Sequence, residues 1–161
     1  MRVLRGILLV LAATAIVVVG MLAVFVVGVR SRHPGVLRIT RILQRDYLNP
    51  AALRDAGRPG SPHSVIRHVG RTSGREYETP IAVVGVDGGF VIALVYGEDA
   101  QWVRNVRAGG ASSLLHEGRA YSIDAADVVP IESTPLRSAT VTNRVFRIES
   151  ALRLRTTPLV R

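Results

Sequence analysis

Residues 6–29 read GILLVLAATAIVVVGMLAVFVVGV, with no charged side chain and only Thr14 of any marked polarity. Nothing else in the sequence limits the fold as much. At about 1.5 Å of rise per residue, a helix over residues 7–29 extends roughly 34 Å, enough to cross a hydrocarbon layer of about 30 Å. A cleaved secretion signal carries a shorter apolar region, about 7–15 residues, closed by a small-x-small site. No Ala-x-Ala follows this run. The expectation is an uncleaved single-pass anchor over residues 1–32. Arg2 and Arg5 precede the apolar run, whereas Arg30, Arg32, Arg38, Arg41 and Arg45 follow it. The more basic flank favours the cytoplasmic side, so the folded part is expected at the cell membrane, facing the cytoplasm.

The formal charge of +9 invites a nucleic-acid reading until it is divided along the chain. Residues 1–49 hold seven arginines against one acid, Asp46, a net +6; residues 50–161 hold fourteen arginines against eleven acids, a net +3. Most of the excess therefore lies where anionic lipid headgroups would meet it, and no basic helix interleaved with aromatics occurs elsewhere. Nucleic acid is not expected as a partner. The absence of cysteine excludes disulfides, thiolate metal sites and a cysteine nucleophile. Four scattered histidines offer no paired spacing, and no metal site is expected.

Residues 36–48 (VLRITRILQRDYL) place Ile39, Ile42, Leu43 and Tyr47 on one helical face and Arg38, Arg41 and Arg45 on the other. Such a helix fits the headgroup region and fits equally well packed on a folded domain. Asn49-Pro50 is expected to end it, and the Gly/Pro-rich residues 56–62 read as a linker or loop. The juxtamembrane helix and linker thus occupy residues 33–62, and the folded domain residues 63–161.

Within that domain the pattern is of short strands: 65–69, 77–86, 90–95, 112–116, 119–123, 128–131 and a weaker one at 152–155. Asp87-Gly88-Gly89 makes a strong hairpin turn. A helix over residues 100–108, capped by Asp99 and stopped by Gly109-Gly110, follows the third strand. A further helix is expected over 136–148. Six or seven strands with glycine turns and one inserted helix predict a mainly β (α+β) fold, a small barrel with helical additions.

Two segments are candidates for chemistry. The loop Gly70-Arg71-Thr72-Ser73-Gly74-Arg75 joins two strands; its glycines permit backbone N–H groups to converge, and Arg71 and Ser73 add donors for phosphate oxygens. A plain polar hairpin is the alternative. The second segment, residues 96–105, ends a buried strand at Tyr96, opens at Gly97 and begins a helix that carries Trp102 and Asn105. Trp102 anchors the helix to the barrel or walls a ligand, and Asn105 fixes a loop or a ligand. His68 and His116 read as satisfied strand residues, and Tyr77, Tyr96 and Tyr121 as core-edge residues or donors. No triad, carboxylate pair or Walker loop is present, so no catalytic residue is assigned; a cofactor must carry any reactivity.

Together these segments resemble the deazaflavin-dependent nitroreductase family of actinobacteria, which binds coenzyme F-420. GRTSGREYETPI (70–81) is similar to that family's Gly-Arg-Lys-Ser-Gly…Thr-Pro-Leu signature, YGEDAQWVRNVRAGG (96–110) to its Trp-x-x-Asn-x-x-Ala segment, and HEGRAYSIDAADVVP (116–130) to the strand pair that follows. The resemblance spans roughly residues 62–131. It implies a split β-barrel with a deazaflavin along its edge. Arg71, Thr72 and Ser73 would meet the phosphate and tail; Tyr77, Thr79, Pro80 and Ile81 would run beside the ring system. Val95, Tyr96 and Gly97 would meet the ring, with Trp102 and Asn105 closing the pocket. The implied reaction is hydride transfer to a small-molecule quinone, including membrane menaquinone, or to a nitro compound. Thr72 stands where the family has Lys, Tyr77 falls at a family Arg position, and the Tyr-rich C-terminal segment is missing. Three alternatives stay open: a hydrophobic-ligand (fatty acid) carrier, an FMN-binding reductase, and a haem-binding barrel ligated through His68 or His116.

Overall fold

The computed structural model describes residues 2–109 and 112–159. Gly110, the second glycine of the expected helix stop, lies outside the described residues, as do Met1, Val160 and Arg161. Helix α1 (Arg2–Arg30) presents its apolar side chains outward along almost its whole length; over Leu4–Arg30 it is long and apolar enough to cross a membrane. It ends in a left-handed turn at Arg32 (φ 52°), where the His33 amide reaches back to the Gly28 carbonyl at 2.8 Å. That bond satisfies a terminal carbonyl that the helix cannot. Pro34 then opens α2 (Pro34–Leu43) at a position where a missing N–H costs nothing.

The helical arm does not stop at Asn49-Pro50 as the sequence predicts. It passes through a wide π turn (Gln44–Leu48) into α3 (Asn49–Leu53). Pro50 sits in the first turn of α3, directly after the π turn. Of the two readings of 56–62, linker or loop, the structure shows a loop. The Gly57 amide bonds the His63 carbonyl at 2.6 Å, the Gly118 amide bonds the Gly57 carbonyl at 2.6 Å, and the Gly60 amide bonds Glu117 Oε2 at 2.9 Å. A Cβ on Gly57 would lie 2.7 Å from the Leu115 side chain, so this turn is packed on the barrel.

The barrel is one antiparallel sheet of seven strands: β1 (Ser64–Val69), β2 (Glu76–Ile81), β3 (Val84–Val86), β4 (Gly89–Ala93), β5 (Ser113–His116), β6 (Arg119–Pro130) and β7 (Ser150–Pro158). Their order is β2-β1-β5-β6-β7-β4-β3. It is the split-barrel arrangement. The expected strand 77–86 breaks at Ala82-Val83 into β2 and β3. The expected strands 119–123 and 128–131 are one twelve-residue strand, bent by a register shift between Ile123 and Ala125. At that bulge Asp124 accepts hydrogen bonds from the Ser122 and Thr157 hydroxyls at 3.0 and 2.7 Å, which lets the strand continue where periodicity is lost. The weak strand 152–155 proves to be nine residues at the centre of the sheet, between β6 and β4.

Alternation explains the core. On β7, Leu152 and Leu154 point inward and Arg153 and Arg155 outward. They share one core with Ile66, Ile92 and Leu114, all buried, each worth about 1.5–3 kcal/mol on burial. Helix α4 (Gln101–Arg107) closes this core with Val103 and Val106. Asp99 does not cap α4; Ala100 is at the cap position, and Asp99 pairs with Arg104 at 2.5 Å instead. The expected helix 136–148 is a short 3-10 turn (Pro135–Ser138) followed by α5 (Thr140–Phe146), closed by left-handed Arg147. A second apolar cluster, Ile131, Ile148 and Ala151, lies beneath it.

Candidate functional site

The loop 70–75 connects β1 to β2, the edge strand of the sheet. It folds on itself through Gly70, whose amide bonds the Arg75 carbonyl at 2.7 Å and whose carbonyl accepts from Gly74 at 2.8 Å. A side chain at Gly70 would strike Ser73 Oγ and the Tyr77 ring, and Gly74 is left-handed at φ 65°. Both glycines are therefore fixed by geometry. Ser73 Oγ lies 3.3 Å from the Tyr77 hydroxyl. Arg71, Thr72, Ser73 and Tyr77 are all exposed.

Arg71 does not wave in solvent as a hairpin arginine would. Its Nη1 donates to Asn105 Oδ1 at 3.0 Å and to Gln101 Oε1 at 2.9 Å, and its amide also donates to Asn105 Oδ1 at 3.3 Å. Asn105 is buried on the inner face of α4, and its Nδ2 donates to His68 Nδ1 at 3.3 Å. His68 Nε2 in turn lies 3.2 Å from Thr79 Oγ1, and the imidazole stacks on Tyr77 with ring centres 5.7 Å apart. One chain of contacts thus joins β2, β1, the loop and α4. Burial holds the His68 imidazole below its ordinary pKa, so the ring is neutral and Nε2–H donates to Thr79 while Nδ1 accepts from Asn105.

Of the residues singled out in the sequence, this network brings together Arg71, Ser73, Tyr77, Thr79 and Asn105. Thr72 sits on the loop without joining it. Pro80 is half-buried opposite Val65 on the edge strand. Ile81 turns into the main core, so its side chain lines no open surface. Trp102 packs against that same core, whereas Val95 packs against the second cluster. Tyr96 is half-buried, and its phenol is held above its ordinary pKa by burial. Gly97 is buried and left-handed at φ 83°; a Cβ there would lie 3.4 Å from the Arg32 guanidinium carbon. The arginine that follows the apolar helix therefore rests on the loop that ends at α4.

One participant, Gln101, escapes a reading of the sequence, and another, His68, is the satisfied strand residue expected there. Gln101 carries no motif of its own and gains its place only by lying one turn before Asn105. His68 shares the inward parity of Ile66 on β1, which marks it as buried; nothing in the sequence marks its partners. Both ring nitrogens of His68 are occupied, and His116 Nδ1 bonds Ser64 Oγ at 2.8 Å. A haem ligand role for His68 would have to break one of its two bonds.

The model for the family described as F420H2-dependent quinone reductase matches residues 47–150. The chain belongs to this family. It is accordingly an oxidoreductase that depends on coenzyme F-420, as the resemblance of the 70–81 and 96–110 segments implied. Among solved structures the chain is similar to an F420-H2 dependent reductase at 17% identity, with a TM-score of 0.44, over 58% of this chain and 93% of that one. It is also similar to an F420 reductase (14%, 0.40, over 63% and 89%). A third is HutZ, the haem storage protein from Vibrio cholerae (13%, 0.41, over 62% and 83%). No protein of curated function matches the chain.

Proposed function

We propose that this family member is tethered by α1 in a membrane, its barrel on the cytoplasmic side, and that it reduces a lipophilic quinone held beside its coenzyme. The observation that carries the cofactor site is the double tie between Arg71 and Asn105. A guanidinium already oriented by α4 loses little freedom on meeting an anion, so its binding energy is spent on the ligand.

The residues fit the coenzyme. The loop 70–75 supplies Arg71, Arg75 and the Thr72 and Ser73 hydroxyls and contains no acid, the donor set that phosphate oxygens require. Two exposed acids follow the loop on β2: Glu76 at its start, and Glu78, which pairs with Arg67 at 2.8 Å. Thr72 in place of the family's Lys removes one charge, and Arg75 in the same loop can replace it. The open edge of β2 from Tyr77 through Pro80 offers an extended backbone for the ring system, with Trp102 and Asn105 on the α4 side.

Bound in its reduced form, coenzyme F-420 supplies a hydride from C5 of its ring. This chain's part is positional. The loop 70–75 holds the phosphate, and Asn105 keeps Arg71 aimed. The loop at Tyr96-Gly97 lets the ring approach backbone where no Cβ intrudes. Tyr96, kept as a neutral phenol by burial, can donate a hydrogen bond to a quinone carbonyl.

The test is a fluorescence titration of the full-length protein in detergent micelles with coenzyme F-420, with FMN in parallel and Arg71→Ala as control. Binding of F-420 that Arg71→Ala weakens, with FMN binding weaker throughout, is the expected result. F-420 binding that Arg71→Ala leaves unaltered would remove the phosphate role from the loop.

A further inference from the structure

Helices α1 and α2 form a V. At its apex they touch so closely that a Cβ on Gly28 would fall inside the Val36 side chain. Away from the apex they diverge and leave a groove of about 520 Å³, within the size range of small-molecule sites. Met21, Val24 and Phe25 line one wall, and Val36, Ile39 and Leu43 the other. Thr40 is the polar residue deepest in it, and its hydroxyl is already spent on the Val36 carbonyl at 2.9 Å. From Gly20 to Phe25 the groove follows α1 for roughly 8 Å at about 1.5 Å per residue.

The barrel does not cover this surface. Ile39 is 61% exposed and Leu43 48%, a concentration of apolar area that water would leave unfavourably solvated. Tyr96 also lines the groove, one residue before the Gly97 on which Arg32 rests. A single channel of apolar surface therefore leads from the middle of the spanning helix to the loop proposed to face the coenzyme ring.

We infer that this groove holds the isoprenoid tail of a membrane quinone and delivers its ring to Tyr96. The inference rests on the membrane-tethered quinone reductase reading and adds the place where the acceptor is recognised. The geometry favours a quinone over a phospholipid. A quinone ring is flat and uncharged and can follow its tail inward to a phenol donor. A phosphodiester headgroup is charged and hydrated, and stays at the interface.

Gly20 provides the test, because a Cβ there meets no protein atom within 4 Å and Gly20 lines the groove; Gly20→Phe puts a ring where the tail would lie. Full-length wild type and Gly20→Phe would be reconstituted in lipid nanodiscs with reduced F-420. KM would be measured for a long-chain menaquinone and for menadione, the same ring without the tail. The expected result is a KM for menaquinone raised about tenfold relative to that for menadione. A ratio that does not change overturns the groove while leaving the reductase reading intact. A wild type that binds F-420 and reduces neither quinone overturns both. Photolabelling with a tail-diazirine menaquinone and with a diazirine phospholipid separates the remaining occupants. Quinone label on α1 and α2 that Gly20→Phe suppresses supports the site. Equal labelling by the phospholipid makes the groove ordinary lipid-facing surface and overturns it.

Discussion

Asn105 Oδ1 accepts two hydrogen bonds from Arg71, one from the backbone amide at 3.3 Å and one from Nη1 at 3.0 Å, across 34 residues of sequence. The second of these involves a charged donor, and Asn105 itself is buried. A loop that would otherwise be an exposed hairpin is thereby made part of the helix that packs on the barrel core.

Asn105→Ala should weaken coenzyme F-420 binding by roughly tenfold to a hundredfold, since a hydrogen bond to a charged group contributes about 1.5–3 kcal/mol and about 1.4 kcal/mol is tenfold. Gln101→Ala, which removes one partner of Nη1 and leaves the other, should cost less. Fluorescence titration of the two full-length variants measures the difference, and equal losses would contradict the dominant role given to Asn105.

The His68 imidazole provides a pH dependence with a definite sign. Its pKa is lowered by burial from an ordinary 6.5, so the unfolded chain binds the proton more readily than the folded one. Stability is complete above about pH 6.5 and declines as pH falls toward the lower folded value. A proton on Nδ1 would confront the Asn105 amino group; turning that amide would in turn point NH2 at both Arg71 donors. Coenzyme affinity and melting temperature should therefore fall together on acidification, and His68→Gln should reduce the slope of both.

Gly89 begins β4 where a Cβ would lie 1.9 Å from the Leu154 carbonyl oxygen. Backbone on the central strand β7 cannot give way as a flexible side chain would. Gly89→Ala should destabilise by about 3 kcal/mol or more. Gly85 faces open space, and Gly85→Ala serves as the mild comparison in thermal unfolding.

Gly97→Ala places a side chain at φ 83°, at a cost of about 1–2 kcal/mol. The neighbouring atoms belong to the end of the Arg32 side chain, which can move aside. The melting temperature should drop by a few degrees, while quinone reduction in nanodiscs drops further than coenzyme binding does. Equal effects on both would place Gly97 outside the acceptor side of the site.

Much of this was legible in the sequence because it depends on local rules. The apolar run, the glycine turns, the buried β4 and the loop 70–75 are each written in consecutive residues. What periodicity cannot show is what bends or joins. The Asp124 bulge reads as the end of one strand because it breaks alternation. Pro50 reads as a helix stop because a π turn leaves no mark in composition. Arg71 and Asn105 are each marked by a motif, but nothing in the sequence says that they bond to each other or that Gln101 joins them. The site follows the same division. Its loop is a motif, whereas its rigidity is a tertiary contact between two separate segments.

The position of β7 has a consequence for the order in which the molecule is made. Strands β4 and β6 leave the ribosome well before the strand that must lie between them, with α1 already long emerged. Until residues 150–158 arrive, the nascent chain holds a β3–β4 hairpin and a separate β2-β1-β5-β6 sheet, each with an edge ready to pair with the wrong partner. If α1 has by then entered the bilayer, neighbouring nascent chains share one surface, where such mispairing is most probable. Quality control of this protein would accordingly centre on its final strand, and arrest of translation before Ser150 would be more damaging than most substitutions within the barrel.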